Sequence, residues 1–315
     1  MIGKKGIVCC VFALTGAFTA CGGEKHITVI SRTAGSGTRS AFETLVTDGE
    51  GNALGGKDEN GKEYSLLVKT ALEKSETGDV KTAVTSDKNA IGYISVGSLD
   101  SSVKALDLDG VSPTAKNVEL GTYAMQRPFV IMTNATVSLT PRAEDFVQYL
   151  KSTKAEEFST FAGCVWASDP IVRGSQDAPV PVVEDWTAQP TLPLAGESGK
   201  IVINGSTSMQ KFIEKAASAY AEEYAVKATD IFTIELQSSS VGRKGAETDD
   251  TGNFIGLSSA SVQGNVKVKA FTVCLDAIAV IVHNDCPING VTTRQLFDIY
   301  TGKILSFRQL EGVSV

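Results

Sequence analysis

Histidine is nearly missing from this chain: 315 residues carry only His26 and His283. They lie far apart and no Cys-x-x-Cys accompanies them, so a zinc site built from nitrogen and sulfur ligands has no ligand set, and no metal or cofactor is expected. Acid–base catalysis starts from the same shortage. Basic residues are outnumbered, 29 against 36 acidic, for a formal charge of −7. That balance excludes the basic footprint of a nucleic-acid binder. With 42% hydrophobic and 21% charged residues the chain is globular, and its length fits about two domains. This composition leans toward a binding protein rather than a hydrolase.

Long hydrophobic runs are also absent, with one short exception at the start. Lys4 and Lys5 precede an apolar run from Ile7 to Phe18, and Thr19-Ala20-Cys21 closes it before Gly22-Gly23. The run is too short to span a bilayer, which takes about 20 residues. It resembles a bacterial lipoprotein signal, residues 1–20, whose removal leaves Cys21 at the N-terminus as the lipidated residue. Cleavage takes away two lysines, so −7 becomes −9. It also removes Cys9 and Cys10, leaving Cys164, Cys274 and Cys286 as an odd set that reads as small buried hydrophobes rather than a disulfide framework. The expected location is outside the cytoplasmic membrane, tethered by lipid and otherwise soluble.

The remainder alternates short β-branched runs with helical patterns, an α/β arrangement. Strands are expected at 27–31, 91–95, 103–108, 129–133, 201–204, 231–236, 254–257, 268–273 and 278–283. The clearest helix runs from Met209 to Tyr224, where Met209, Phe212, Ile213, Ala216, Ala217, Tyr220 and Tyr224 form one apolar stripe. Residues 168–200 hold five of the nine prolines, which excludes a helix or central strand and reads as a linker.

Three segments carry chemistry. In Ile27–Phe42 a strand runs into Ala34-Gly35-Ser36-Gly37-Thr38 and then a helix. Glycines at such a turn let backbone N–H groups converge, the helix N-terminus adds a positive end, and Ser36, Thr38 and Arg32 add donors suited to an oxyanion. An ordinary capped turn, with Ser36 or Thr38 as the cap, fits this segment equally well. Asn204-Gly205-Ser206-Thr207-Ser208 repeats the pattern before the amphipathic helix, and Ser238-Ser239-Ser240 repeats it after the strand at 231–236. Enzyme motifs fare worse. Gly51 to Lys57 has Walker-like spacing but Asp58 stands where Ser or Thr would hold magnesium. The segment around Ser36 lacks a Gly-x-Ser-x-Gly elbow.

Taken together, Ser31-Arg32…Gly35-Ser36-Gly37-Thr38-Arg39-Ser40-Ala41-Phe42 and Gly205-Ser206-Thr207-Ser208 resemble the phosphate loops of the extracytoplasmic phosphate-binding proteins of ABC-type importers. Weaker matches are Ala90–Ser95, Asp276–Val282 and Leu296–Ile304. The order differs from that family's usual one, in which the Gly-Ser-Thr loop comes first, so the chain resembles a circular permutation joined through the proline-rich segment. The resemblance implies a type II-like clamshell of the periplasmic-binding-protein kind. One lobe would comprise 26–127 plus 277–315 and the other 128–276 including the linker, with hinges near 127–128 and 274–277. It would also place Ile27 beside Lys303–Phe307 in one lobe.

The resemblance implies phosphate capture by Arg32, Ser36, Gly37 and Thr38 from one lobe and Thr207, Ser208, Ser239 or Ser240, and Ser259 from the other. The partners would be inorganic phosphate, the permease of an ABC importer and a membrane reached through lipid, for a monomer that binds no nucleic acid. Two departures stand out: Ala34 replaces an acidic residue beside the arginine, and Ser259 replaces an Asp or Arg. Serine both donates and accepts, so discrimination against sulfate is not assured. Binding of another tetrahedral oxyanion, or a regulatory or adhesion lipoprotein on the same fold, are the alternatives. Arg243-Lys244 reads as a solvated helix face before it reads as a source of ligand charge.

Overall fold

A computed structural model describes residues 26–174, 178–193 and 199–310. The signal-like segment and Cys21 lie outside them. Strands β1 (Thr28–Arg32), β2 (Gly55–Lys57), β3 (Glu63–Ser65), β4 (Leu72–Lys74) and β5 (Ala90–Ser95) alternate with helices α1 (Gly37–Leu45) and α2 (Thr77–Ser86). Strand β6 (Gln126–Asn134) leads to α3 (Pro141–Lys151) and α4 (Lys154–Phe161). Beyond the proline-rich segment follow β7 (Ile201–Ser206), α5 (Gln210–Glu223), β8 (Phe232–Gln237), α6 (Ser239–Thr248), β9 (Phe254–Ser258), β10 (Val268–Val282) and α7 (Thr293–Tyr300).

One sheet runs through the molecule in the order β8-β7-β9-β6-β10-β5-β1-β4. Strands β1, β4 and β5 are parallel, as are β7, β8 and β9, and the antiparallel pair β6–β10 joins the two sets. Two cores flank this seam. The first packs Phe129, Phe146 and Phe158 with Phe212, Tyr220 and Leu257, and the second packs Phe42, Tyr93 and Met125 with Ile278, Phe297 and Tyr300. Residues a few positions apart in the chain thus serve different cores: Met125 and Phe129 at one crossing, Cys274 and Ala277 at the other. Each buried aromatic or large aliphatic side chain contributes about 1.5–3 kcal/mol, which is ample to stabilise two lobes.

The expected separation of 268–273 from 278–283 does not hold. Strand β10 is continuous over 15 residues because β6 pairs with it on both sides of the crossing, from Val268↔Asn134 to Ala277↔Gln126, with one irregularity between Thr272 and Cys274. The expected strand at 103–108 is instead two two-residue pieces, Lys104–Ala105 and Asp107–Leu108. The apolar stripe of α5 is buried as expected, but its first residues Thr207–Met209 form a 3-10 turn.

The proline-rich segment is strapped to the first core rather than extended. It also contains one helical turn, Pro170–Arg173, which its composition seemed to forbid; Asp169 caps the turn and Pro170 stands at the first position, where no N–H is needed. The buried Arg142 donates from Nε to Pro193 O at 3.0 Å and from Nη2 to Leu192 O. Trp186 Nε1 donates to Asp145 Oδ1 at 3.1 Å, while the hydroxyls of Tyr220 and Tyr224 donate to Asp145 Oδ2. At the other edge of the molecule Ile27 N donates to Leu305 O at 2.7 Å, so the first described strand lies against the last described segment.

Candidate functional site

The chemistry-bearing turns all stand at the C-terminal ends of parallel strands, where open α/β sheets place their ligands. Strand β1 ends at Arg32 and gives way to α1, whose cap is Ser36: its Oγ accepts from Arg39 N at 3.4 Å. Strand β7 ends in Ser206, which accepts from Ser208 N at 3.3 Å and starts the turn into α5. Strand β8 leads to α6, capped by Ser238. The capping reading is realised at Ser36, Ser206 and Ser238, and the neighbouring hydroxyls stay free of that duty.

Arg32 is held from several directions. Its backbone N donates to Tyr93 Oη at 3.2 Å, and Ser31 Oγ lies 2.8 Å from the same hydroxyl. Tyr93 stacks on Phe42 with ring centroids 3.9 Å apart, and burial pushes its phenol up to about 12. The guanidinium donates from Nε to Lys74 O at 3.2 Å and from Nη2 to Ser75 O at 2.6 Å. Nη1 reaches Thr77 Oγ1 and Nη2 reaches Thr207 Oγ1, each at 3.3 Å. Carbonyls and hydroxyls thus orient Arg32 where Ala34 supplies no carboxylate. Burial lowers its pKa from the ordinary 12.5, though an arginine in a protein keeps its proton.

The lobes meet over this group. Thr38 Oγ1 is 2.9 Å from Ser208 Oγ, and Thr77 Oγ1 is 3.4 Å from Thr207 Oγ1. Ser206 Oγ donates to Ser259 Oγ at 2.7 Å, Ser259 N donates to Ser239 Oγ at 3.1 Å, and the Ser239 and Ser259 hydroxyls are 3.4 Å apart. Since Ser259 accepts from Ser206, its own proton is left to donate to Ser239 or to an anion in the cleft. Gly37 faces this serine pair: a Cβ there would overlap Ser239 Oγ and come 2.8 Å from Ser259 Oγ. Gly35, at φ +84°, likewise leaves room for Ser240, whose N–H donates to Gly35 O at 3.1 Å.

Arg32, Gly37, Thr38, Thr207, Ser208, Ser239 and Ser259 thus come together. Ser36 and Ser240 stand at the cleft mouth, Ser36 as the helix cap and Ser240 2.9 Å from Ser238 Oγ. Sequence reasoning missed Thr77, and it included Ser206 and Tyr93 in matched segments without giving either a role. Thr77 opens α2 after β4 and Ser75-Glu76, a fourth strand, hydroxyl and helix succession, hidden because Leu72-Glu73-Lys74 has too little apolar character to read as a strand.

A model of the PBP superfamily domain matches residues 13–154 and 191–311. The phosphate-binding protein PstS 2 of Streptococcus pneumoniae is 30% identical over 318 residues, 98% of this chain and 99% of its own. PstS 2 of Streptococcus agalactiae is 31% identical over 287 residues, 90% of this chain and 87% of its own. PstS of Bacillus subtilis is 32% identical, but over only 132 residues, 42% of this chain and 38% of that relative. Among solved structures, a phosphate-binding protein of a phosphate ABC transporter from S. pneumoniae superposes with a TM-score of 0.63 at 30% identity, covering 91% of this chain and 100% of the other.

Proposed function

The chain belongs to the PBP superfamily and, within it, to the family of the PstS phosphate-binding proteins, and from that premise we propose that it captures inorganic phosphate between its lobes and delivers it to an ABC importer. The observation that supports this reading is a chain of hydroxyl contacts from turns of both lobes beside one buried arginine, which itself reaches Thr77 and Thr207, with Arg32 to Thr207 and Thr38 to Ser208 as contacts across the cleft. Hydrogen bonds to a charged acceptor contribute about 1.5–3 kcal/mol each, so several donors shielded from water hold a small dianion on a protein of net negative charge. Arg32, Gly37, Thr38, Thr207, Ser208, Ser239 and Ser259 are assigned as the grip, with Thr77 added to it and Ser36 and Ser240 at its edge. Closure of the lobes around the anion completes the site, and the chemistry required is binding alone.

Two further parts belong to the same reading. Cys21 carries the lipid that tethers the protein, as a monomer, to the outer face of the cell membrane. The chain order is a permuted one, in which residues 168–200 join ends that are free in the usual order. The Ile27 to Leu305 hydrogen bond and the strapping of the linker to one core support it.

Titration calorimetry with phosphate tests the function. The expected result is one phosphate per chain for the wild type and an affinity loss of about 100-fold for Arg32→Ala, or ~3 kcal/mol. Unchanged affinity in that variant overturns the assignment of the site.

A further inference from the structure

Outside the Gly37–Ser239 contact the cleft widens into a cavity of about 640 Å³. It is walled by both lobes and reaches Ser36, Gly37 and Ser239, so it adjoins the grip directly. Its titratable groups are Arg39, Glu43, Lys57, Glu63, Tyr64 and Arg243. Arg39 is committed to Glu43 at 2.8 Å and to Glu73 at 2.5 Å. Among the described residues, Arg243 and Lys57 make no ion pair. Arg243 is carried on α6 four residues after Ser239 and three after Ser240, on the helix face that presents both serines to the cleft. Lys57 ends β2 in the hairpin of the other lobe. The mouth thus holds two uncommitted cations against one free carboxylate, Glu63, on a chain whose overall charge repels anions.

We propose that Arg243 and Lys57, one from each lobe, form an outer capture site that collects a small tetrahedral oxyanion at the cleft mouth before closure delivers it to Arg32. The inference rests on the phosphate-binding reading and adds a second station to it. Its physical basis is focusing: two like charges over a concave, partly low-dielectric surface raise the local concentration of a dianion and so its association rate. Arg243 lies one helical turn from the grip residue Ser239, so the outer cations stabilise the entering anion and the bound one alike, which speeds arrival and leaves departure nearly unchanged. Because the two cations are solvent-facing, their influence fades when the Debye length shrinks to about 3 Å near 1 M salt. The solvated helix face expected for Arg243 is thereby given a ligand to face.

Stopped-flow association of inorganic phosphate with the full chain, at several salt concentrations, tests this. Arg243→Ala with Lys57→Ala is expected to slow association by roughly tenfold at low salt, with an unchanged dissociation rate and a difference that vanishes near 1 M salt. Arg243→Lys should restore most of the rate, and Glu63→Gln should raise it above wild type. An unchanged association rate in the double variant, or a loss carried by dissociation, overturns the capture site while phosphate binding itself stands. Absence of phosphate binding by the wild type instead overturns the underlying reading.

Discussion

Arg127 donates from both Nε and Nη2 to one carboxylate oxygen of Asp276, at 2.9 and 2.8 Å, and the two residues face each other in the β6–β10 ladder where the chain crosses between cores. Ser95 Oγ holds the other carboxylate oxygen at 2.8 Å, so three strands meet on one buried ion pair. Removing one partner strands a charge in the interior. Asp276→Ala is therefore expected to cost about 3–5 kcal/mol in chemical denaturation, whereas Arg127→Met with Asp276→Leu together should come much closer to wild type.

Thr77 gives Arg32 Nη1 its hydroxyl partner and also touches Thr207 across the cleft. Thr77→Val keeps the shape and deletes the hydroxyl. Calorimetry should show phosphate affinity lower by roughly fivefold to tenfold, in line with about 1 kcal/mol for one hydrogen bond.

Gly37 packs against Ser239 and Ser259 with no room for a side chain, so the proposed closure requires glycine there. Gly37→Ala should leave the melting temperature near that of wild type while phosphate affinity falls roughly tenfold or more, because the closed population is depleted. Small-angle scattering with saturating phosphate should show a larger radius of gyration than wild type, and Ser239→Gly added to Gly37→Ala should recover part of the affinity.

Ser259 is oriented as a donor by the hydrogen bond it accepts from Ser206. A donor welcomes hydrogen phosphate and sulfate alike, whereas a carboxylate accepts the proton of the first and repels the second. Ser259→Asp is thus expected to raise the ratio of phosphate to sulfate affinity by roughly tenfold or more, read by competition calorimetry.

The proposed permuted order predicts that the chain tolerates being reopened. A variant closed from Leu310 to His26 by a short glycine-serine segment and opened between the exposed Glu184 and Asp185 should fold and bind phosphate, since Ile27 and Leu305 are already hydrogen bonded. Failure of this variant to fold, measured by circular dichroism, would count against the ordering.

What the sequence made legible was local. Strand β1, the Gly-Ser-Gly-Thr turn and α1 follow from one unbroken stretch, residues 28–45, and the stripe of α5 follows from its spacing. The polar hairpin Gly55–Ser65 and strand β4 were hidden because Glu63, Lys74 and their neighbours hold no alternating apolar pattern; pairing partners impose the extended form there. Thr77 was hidden with β4. The continuity of β10 was equally unreadable, since Leu275-Asp276-Ala277 looks like a break until Arg127 is seen to neutralise the carboxylate. No local pattern signals the burial of Arg142 and Arg173, which depends on carbonyls elsewhere in the chain, those of Leu192 and Pro193 for the first and of Lys151 and Ala167 for the second.

The two crossings lie side by side and stay hydrogen bonded, from Thr272↔Val130 through Asp276↔Arg127 to Ala277↔Gln126. A two-stranded ribbon bends and twists readily about its own length, but its strands slide past each other only by breaking every rung at once. The proposed closure is therefore expected to be a swing without shear that returns Thr38 to Ser208 and Gly37 to Ser239 in the same alignment.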